Sequence, residues 1–262
     1  MARTTLDTWD ANFLYKSPMF QALLPFAGDL TRFPAWPELK DLKTLFSQYG
    51  IDLTPVEQAE KPGCFEEHYE PRIFLKRELQ TRSKNWHDLF NALVWFRFAQ
   101  TKTVLNELHY HASLQRQQKS NRGALENVIT LFDECGVVVI SSRVELLNMI
   151  REHQWKSLFI DHRDAFERDI KCVVFGHAMY EKALSPYIGM TAQALLIHDK
   201  QLITGSVDMI DVSVANKWRN GEITSTRDLS PLPLLGIPGW FEANDNPAFY
   251  ENEEYFRPRR KK

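Results

Sequence analysis

Cysteine is scarce in this chain. Cys64, Cys135 and Cys172 are widely separated, odd in number and never in a C-x-x-C pair, so neither a disulfide framework nor a zinc knuckle is indicated. Each reads as a small buried hydrophobe. Net charge is also nearly absent, at −2, so no global field gathers nucleic acid or an anionic membrane. No apolar run reaches the roughly 18 residues needed to span a bilayer. The first twenty residues carry scattered charges and no apolar h-region, so no secretory signal is expected and the cytoplasm is the simplest compartment. P-loop, GxGxxG, GxSxG and HExxH patterns are missing, as are internal repeats. Their absence removes the ordinary nucleotide, dinucleotide and α/β-hydrolase readings.

What is present is large and aromatic. The chain has 262 residues, 44% of them hydrophobic and 12% aromatic, enough for one sizeable core. One stretch, TRSKNWHDLFNALVWFRFAQTKTVLNELHYH from Thr81 to His111, holds three of the eight histidines and two of the seven tryptophans. Trp86, Leu89, Phe90, Leu93, Val94 and Phe98 recur at a spacing of three or four, which predicts a helix with one wide buried stripe. Asn85 is a suitable N-cap, with Asp88 three residues on. His87 and Asn91 share a face one turn apart.

Were the helix unbroken, His87 and His109 would stand roughly 33 Å apart along its axis, beyond any relay or shared metal. The apolar pattern lapses at Phe98-Ala99-Gln100-Thr101, however, and Thr101 could cap a second helix. A turn there would fold the chain back and bring the two histidines to similar height.

Around this stretch, residues 1–50 read as short helices broken by Pro18, Pro25, Pro34 and Pro37, with a helix from Glu38 to Tyr49 closed by Gly50. Residues 51–65 read as a loop. FEEHYEPRIFLKREL, Phe65 to Leu79, reads as a strand with Pro71 at an edge or bulge. Arg72 and Arg82 flank the central stretch, either as solvated cations or as a guanidinium holding a carboxylate or phosphate. After a polar linker, ENVITLFDECGVVVISS reads as a β-hairpin in which Asp133 and Glu134 are turn residues. A helix follows from Arg143 to Trp155. IKCVVF predicts a strand that runs through Gly176-His177 into the helix AMYEKAL, where amides at the helix start would favour an anion and depress a nearby imidazole. His177 and Glu181 share a face. Two ligands alone are too few for zinc, and His177 could equally be a core histidine bonded to a carboxylate. Residues 190–220 read as helical. From Leu229 the chain is rich in proline and aromatics and predicts an extended wrap anchored by Trp240, Phe249, Tyr250, Tyr255 and Phe256. Five of the last six residues are basic, either a frayed end or a contact for RNA or an acidic partner.

The blocks TR-x-x-NWHDLFNALVW, TK-x-x-LN-x-x-H, FGHAMYEKAL-x-P and PLPLLGIPGW…FY…YFRP-x-R resemble an uncharacterised proteobacterial family catalogued as a domain of unknown function. The likeness covers roughly Tyr69 to Arg259. It implies a cytoplasmic bacterial protein and transfers no reaction. It places Arg82, Asn85, His87, Asp88, Asn91, Lys102, Asn106, His109, His177 and Glu181 in motif positions. It also puts Ala99 where that family is expected to have proline, in keeping with a helix break.

The expected fold is α+β: a mainly helical body (1–228) with a small antiparallel sheet, and a C-terminal wrap with a basic tail (229–262). Two main functional readings follow. One is a hydrolytic or phosphoryl-transfer enzyme using His87, Asp88, Asn91, His109, His177 and Glu181, with Arg82 holding an anion and a divalent metal compatible with the donors. The other is a non-catalytic binding or scaffold protein in which the NWHD block is a structural polar network. A third, an RNA- or ribosome-associated factor, rests on the tail alone.

Overall fold

The computed structural model describes residues 8–24, 26–58, 62–116 and 122–259. Residues 1–7, Pro25, residues 59–61, the middle of the polar linker (117–121) and the last three tail residues lie outside them. The architecture is α+β and mainly helical, as the residue pattern predicts.

The proline-punctuated N-terminal segment forms 3-10 turns at Phe13–Tyr15, Pro18–Leu23 and Phe26–Arg32. These lay Phe13 and Phe20 against the central stretch. Trp86 stacks on Trp9, with ring centres 5.1 Å apart, and on Phe90 at 5.4 Å. Helix α1 (Leu39–Gln48) follows, its start closed by a bond from the Glu38 amide to the Asp41 carboxylate. The strand β1 (Thr54–Glu57) comes next.

Phe65 to Leu79 departs from the expected strand. It forms helix α2 (Tyr69–Lys76), ended by Arg77 at φ 55°, and then the short strand β2 (Glu78–Thr81) paired parallel to β1. Pro71 sits in the first turn of α2, where no amide donor is needed. Of the segment's apolar residues at a spacing of two, Ile73 is buried and Leu75 is exposed, which a strand with one buried face would not give.

The central stretch forms two helices, α3 (Trp86–Arg97) and α4 (Ala99–Arg116). Phe98 breaks them with φ −126° and ψ 48°. Lys102 Nζ donates to Asn91 Oδ1 at 3.0 Å. In one straight helix these residues would be separated by about 16 Å of axial rise, so the chain must bend between them. The break falls where the pattern lapses, but the cap comes from elsewhere. Asp211, on helix α9 (Val207–Arg219), accepts from the amides of Gln100 and Thr101, both at 2.9 Å.

The expected hairpin at 126–142 is instead helix α5 (Ala124–Cys135) running into strand β3 (Gly136–Ser141). Val128, Ile129 and Phe132 are buried at helical spacing, and that periodicity outweighs the β-propensity of the Val-Ile-Thr run. Helix α6 (Val144–Arg151), shorter than the expected run to Trp155, buries Leu146, Leu147 and Ile150, and α7 (Arg163–Asp169) leads into strand β4 (Ile170–Val174). Helix α8 (His177–Ala183) follows β4. TAQALLIH, expected to be helical, is strand β5 (Thr191–His198), held between β3 and β6 (Ser230–Pro233). A central sheet position overrides the helix propensity of its alanines and leucines. The sheet order is β4-β3-β5-β6; β3 and β5 run parallel while the outer pairs are antiparallel, so the small sheet is mixed.

The C-terminal segment forms β6 and 3-10 turns at Leu234–Gly236, Glu242–Asp245 and Pro247–Glu251 rather than one extended run, and Trp240 and Phe249 stay partly exposed. Tyr250, Tyr255 and Phe256 are buried. The Tyr255 hydroxyl donates to Met190 O at 2.7 Å and accepts from the Leu235 amide at 2.9 Å. Among the described residues, no helix is long and apolar enough to cross a membrane.

Candidate functional site

Two chain crossings build the site. The end of α5 and the start of α8 meet at one end of the sheet, because β3 and β4 pair with Val137 opposite Val174. The Phe175 and Gly176 amides both donate to Gly136 O, at 3.0 and 2.8 Å. This closeness sets His177 beside Asp133 and Glu134. Helix α3 packs across α8 and adds His87.

His87 Nε2 and His177 Nε2 lie 3.0 Å apart. One Glu134 oxygen is 3.5 Å from His177 Nε2 and 3.9 Å from His87 Nε2. Each ring has a carboxylate behind its other nitrogen. Glu181 accepts from His87 Nδ1 at 3.0 Å, and Asp133 lies 3.6 Å from His177 Nδ1. His87, His177 and Glu134 form the cluster able to hold a metal ion among the described residues. All three line a polar cavity of about 320 Å³, with Tyr69, Glu70, Asn91, Lys102, Asn106 and His109 in its walls.

The two imidazoles differ electrostatically. The hydrogen bond to Glu181 raises His87 above the usual histidine range and in turn lowers Glu181. His177 is 4% exposed, and burial pushes it down to about 4. Desolvation is the leading cause of that shift. Burial raises Glu134. Burial acts the same way on Asp133, but Lys102 and then His177 outweigh it, so that carboxyl lies below its ordinary value. Lys102 Nζ donates to Asp133 at 2.6 Å and stands 5.1 Å from the Trp95 ring centre.

The remaining expected residues divide. Asn91 lines the cavity and bonds both Lys102 and the Tyr69 hydroxyl. His109 also lines it, but no hydrogen bond or ion pair among the described residues joins it to His87 or His177. Its buried Nδ1 has no hydrogen-bond partner among the described residues. Asp88 is held by Arg82 through two guanidinium bonds of 2.9 and 2.7 Å and by the Arg82 amide at 2.7 Å. The carboxylate that Arg82 clamps is thus internal. Arg72 is likewise paired with Glu78.

Reading the sequence as a hairpin missed Asp133 and Glu134 as site residues. In the structure they close a helix and face the cavity, and the 128-129-132 periodicity was the signal that placed them there. Tyr69 and Glu70 were hidden by the strand expectation for Phe65 to Leu79. Asn106, which donates to the Glu70 carbonyl at 3.0 Å, was marked only by the resemblance.

A mainly helical α+β fold carrying two histidines and a carboxylate on a polar cavity is the class that fold and site define. Residues 53–260 match the family described as Protein of unknown function (DUF3025), and the chain belongs to it. No curated protein and no solved structure matches the chain.

Proposed function

We propose that the protein is a hydrolytic or phosphoryl-transfer enzyme whose reaction takes place beside His87 and His177. The observation that carries this reading is the meeting of the two Nε2 atoms at 3.0 Å on the wall of a polar cavity, each ring backed by a carboxylate. Rings fixed in this way present a preorganised proton acceptor for activating water. Glu134 joins them, while Glu181 and Asp133 orient them. Asn91, Lys102 and His109 line the space a substrate would occupy, and Asp88 with Arg82 holds the entry to α3. The test is a panel of carboxylic and phosphoric ester substrates with wild type, His87→Ala and His177→Ala. Turnover that falls at least about 100-fold in both variants supports the reading; turnover untouched by either sinks it.

The alternative of a purely structural network has its own support. Arg82, Asn85 and Asp88 satisfy one another, and so do Tyr69, Asn91, Lys102 and Asp133. On that reading His87→Ala lowers the melting temperature and no substrate in the panel turns over. For RNA contact, Arg257 donates to Glu254 O and Arg259 pairs with Glu152. Those two cations of the tail are engaged within the chain, and residues 260–262 lie outside the described residues.

A further inference from the structure

We propose that His87 Nε2, His177 Nε2 and a Glu134 carboxylate oxygen form a three-ligand site for a divalent first-row transition-metal ion, with Glu181 and Asp133 as its outer carboxylates. The proposal deepens the hydrolytic reading and shares its residues, but metal binding can be measured without any turnover.

Geometry comes first. The three donor atoms form a triangle with sides of 3.0, 3.5 and 3.9 Å. The point equidistant from its corners lies about 2.0 Å from each, the length of a zinc–nitrogen or zinc–oxygen bond.

Tautomers supply the second argument. Glu181 accepts from His87 Nδ1 at 3.0 Å and sets that ring to carry a hydrogen there, while Asp133, 3.6 Å from His177 Nδ1, faces the second ring as a charge without hydrogen-bonding it. The two Nε2 atoms then lie 3.0 Å apart, beside an acceptor oxygen of Glu134. Either a proton held on one Nε2 or a metal ion between them relieves the repulsion of three such acceptors, and metal binding displaces that proton. Carboxylate behind imidazole behind metal is the arrangement that fixes ring orientation and raises ligand basicity.

The donor set then selects the ion. Two imidazoles and one carboxylate suit zinc and its first-row neighbours, whereas magnesium and calcium require mostly oxygen ligands. Three protein ligands leave coordination positions open, and because all three residues line the cavity, those positions face it. An open position is the mark of a catalytic rather than a structural site. The ligands come from α3, α5 and α8, so only the folded chain assembles them.

The full chain, stripped with a chelator and dialysed, is titrated with Zn²⁺, and bound metal is counted by mass spectrometry. About one equivalent per chain is expected. Affinity should fall at least about 100-fold in His177→Ala and Glu134→Gln and about 10-fold in Glu181→Gln. His198→Ala, which alters an exposed histidine outside the cavity, should leave it unchanged. Circular dichroism checks each variant's fold; Glu134→Gln is the decisive one, since it keeps the shape of a half-exposed side chain. Absence of retained zinc in the folded wild type, equal retention in Glu134→Gln, or a preference for Mg²⁺ or Ca²⁺ overturns the proposal. Zinc held by these ligands without turnover on the ester panel removes the enzyme reading and leaves the site. Failure to retain zinc in a folded chain that still turns over the ester panel removes the site and leaves the enzyme.

Discussion

Gly176 and Gly136 touch backbone to backbone, and that contact makes the site. A Cβ on Gly176 would stand 2.6 Å from the Cys135 amide nitrogen and nearer still to Gly136 and Glu134 backbone atoms. No L side chain fits without moving α8 away from the end of α5.

Gly176→Ala should therefore cost about 1–3 kcal/mol of stability, the usual penalty for overpacking. It should also separate His177 from Glu134. Scanning calorimetry gives the first effect and zinc retention the second. A variant that melts like wild type and holds zinc equally would show that the contact is not needed.

Asp211 caps α4 from another helix. Asp211→Ala removes the acceptor for the Gln100 and Thr101 amides and should cost about 1–2 kcal/mol. For a chain of this size that is a fall of roughly 2–4 °C in melting temperature per kcal/mol. Glu222→Ala is the control. It removes an exposed partner of Lys217 and should change the melt by far less.

Lys102 and Asp133 form a pair whose side chains are 5% and 16% exposed. Lys102→Met leaves the carboxylate without its cation and should destabilise by about 3–5 kcal/mol. Adding Asp133→Asn should recover part of that loss. A double variant as unstable as the sum of the singles, by urea denaturation, would argue against the pairing.

Glu70 gives a pH signature. Burial raises its carboxyl above the usual glutamate range, against the pull of His109 and Lys102 and with Asp133 adding to the rise. The fold thus favours the protonated form. That contribution is full below the unfolded pKa and is lost as pH rises through the folded one. Glu70→Gln should match wild type near about pH 4 and melt higher than wild type at about pH 7.5. A melting difference that is flat with pH would contradict this assignment.

Several features were legible in the residues. The buried stripe of α3, its Asn85 cap and the break at Phe98 follow from periodicity, because a lapse in the apolar pattern removes the stripe a straight helix would bury. His177 at a strand-to-helix junction with Glu181 one turn on was also readable. Other features were not. ENVITLFDEC carries both β-branched residues and helical spacing, and only packing decides between them. TAQALLIH favours helix locally and becomes a strand because β3 and β6 flank it.

By itself, then, the order of residues determined the local material: which faces are apolar, where the chain must bend, and which segments carry histidine and carboxylate. Tertiary structure alone decided which of them meet. His87 and Glu181 are 94 positions apart, and His87 and His177 are 90. Nothing periodic links residues at such separations. Their contact depends on the register of β3 with β4, on the seat of α3 against α8, and on a glycine small enough to let two backbones touch.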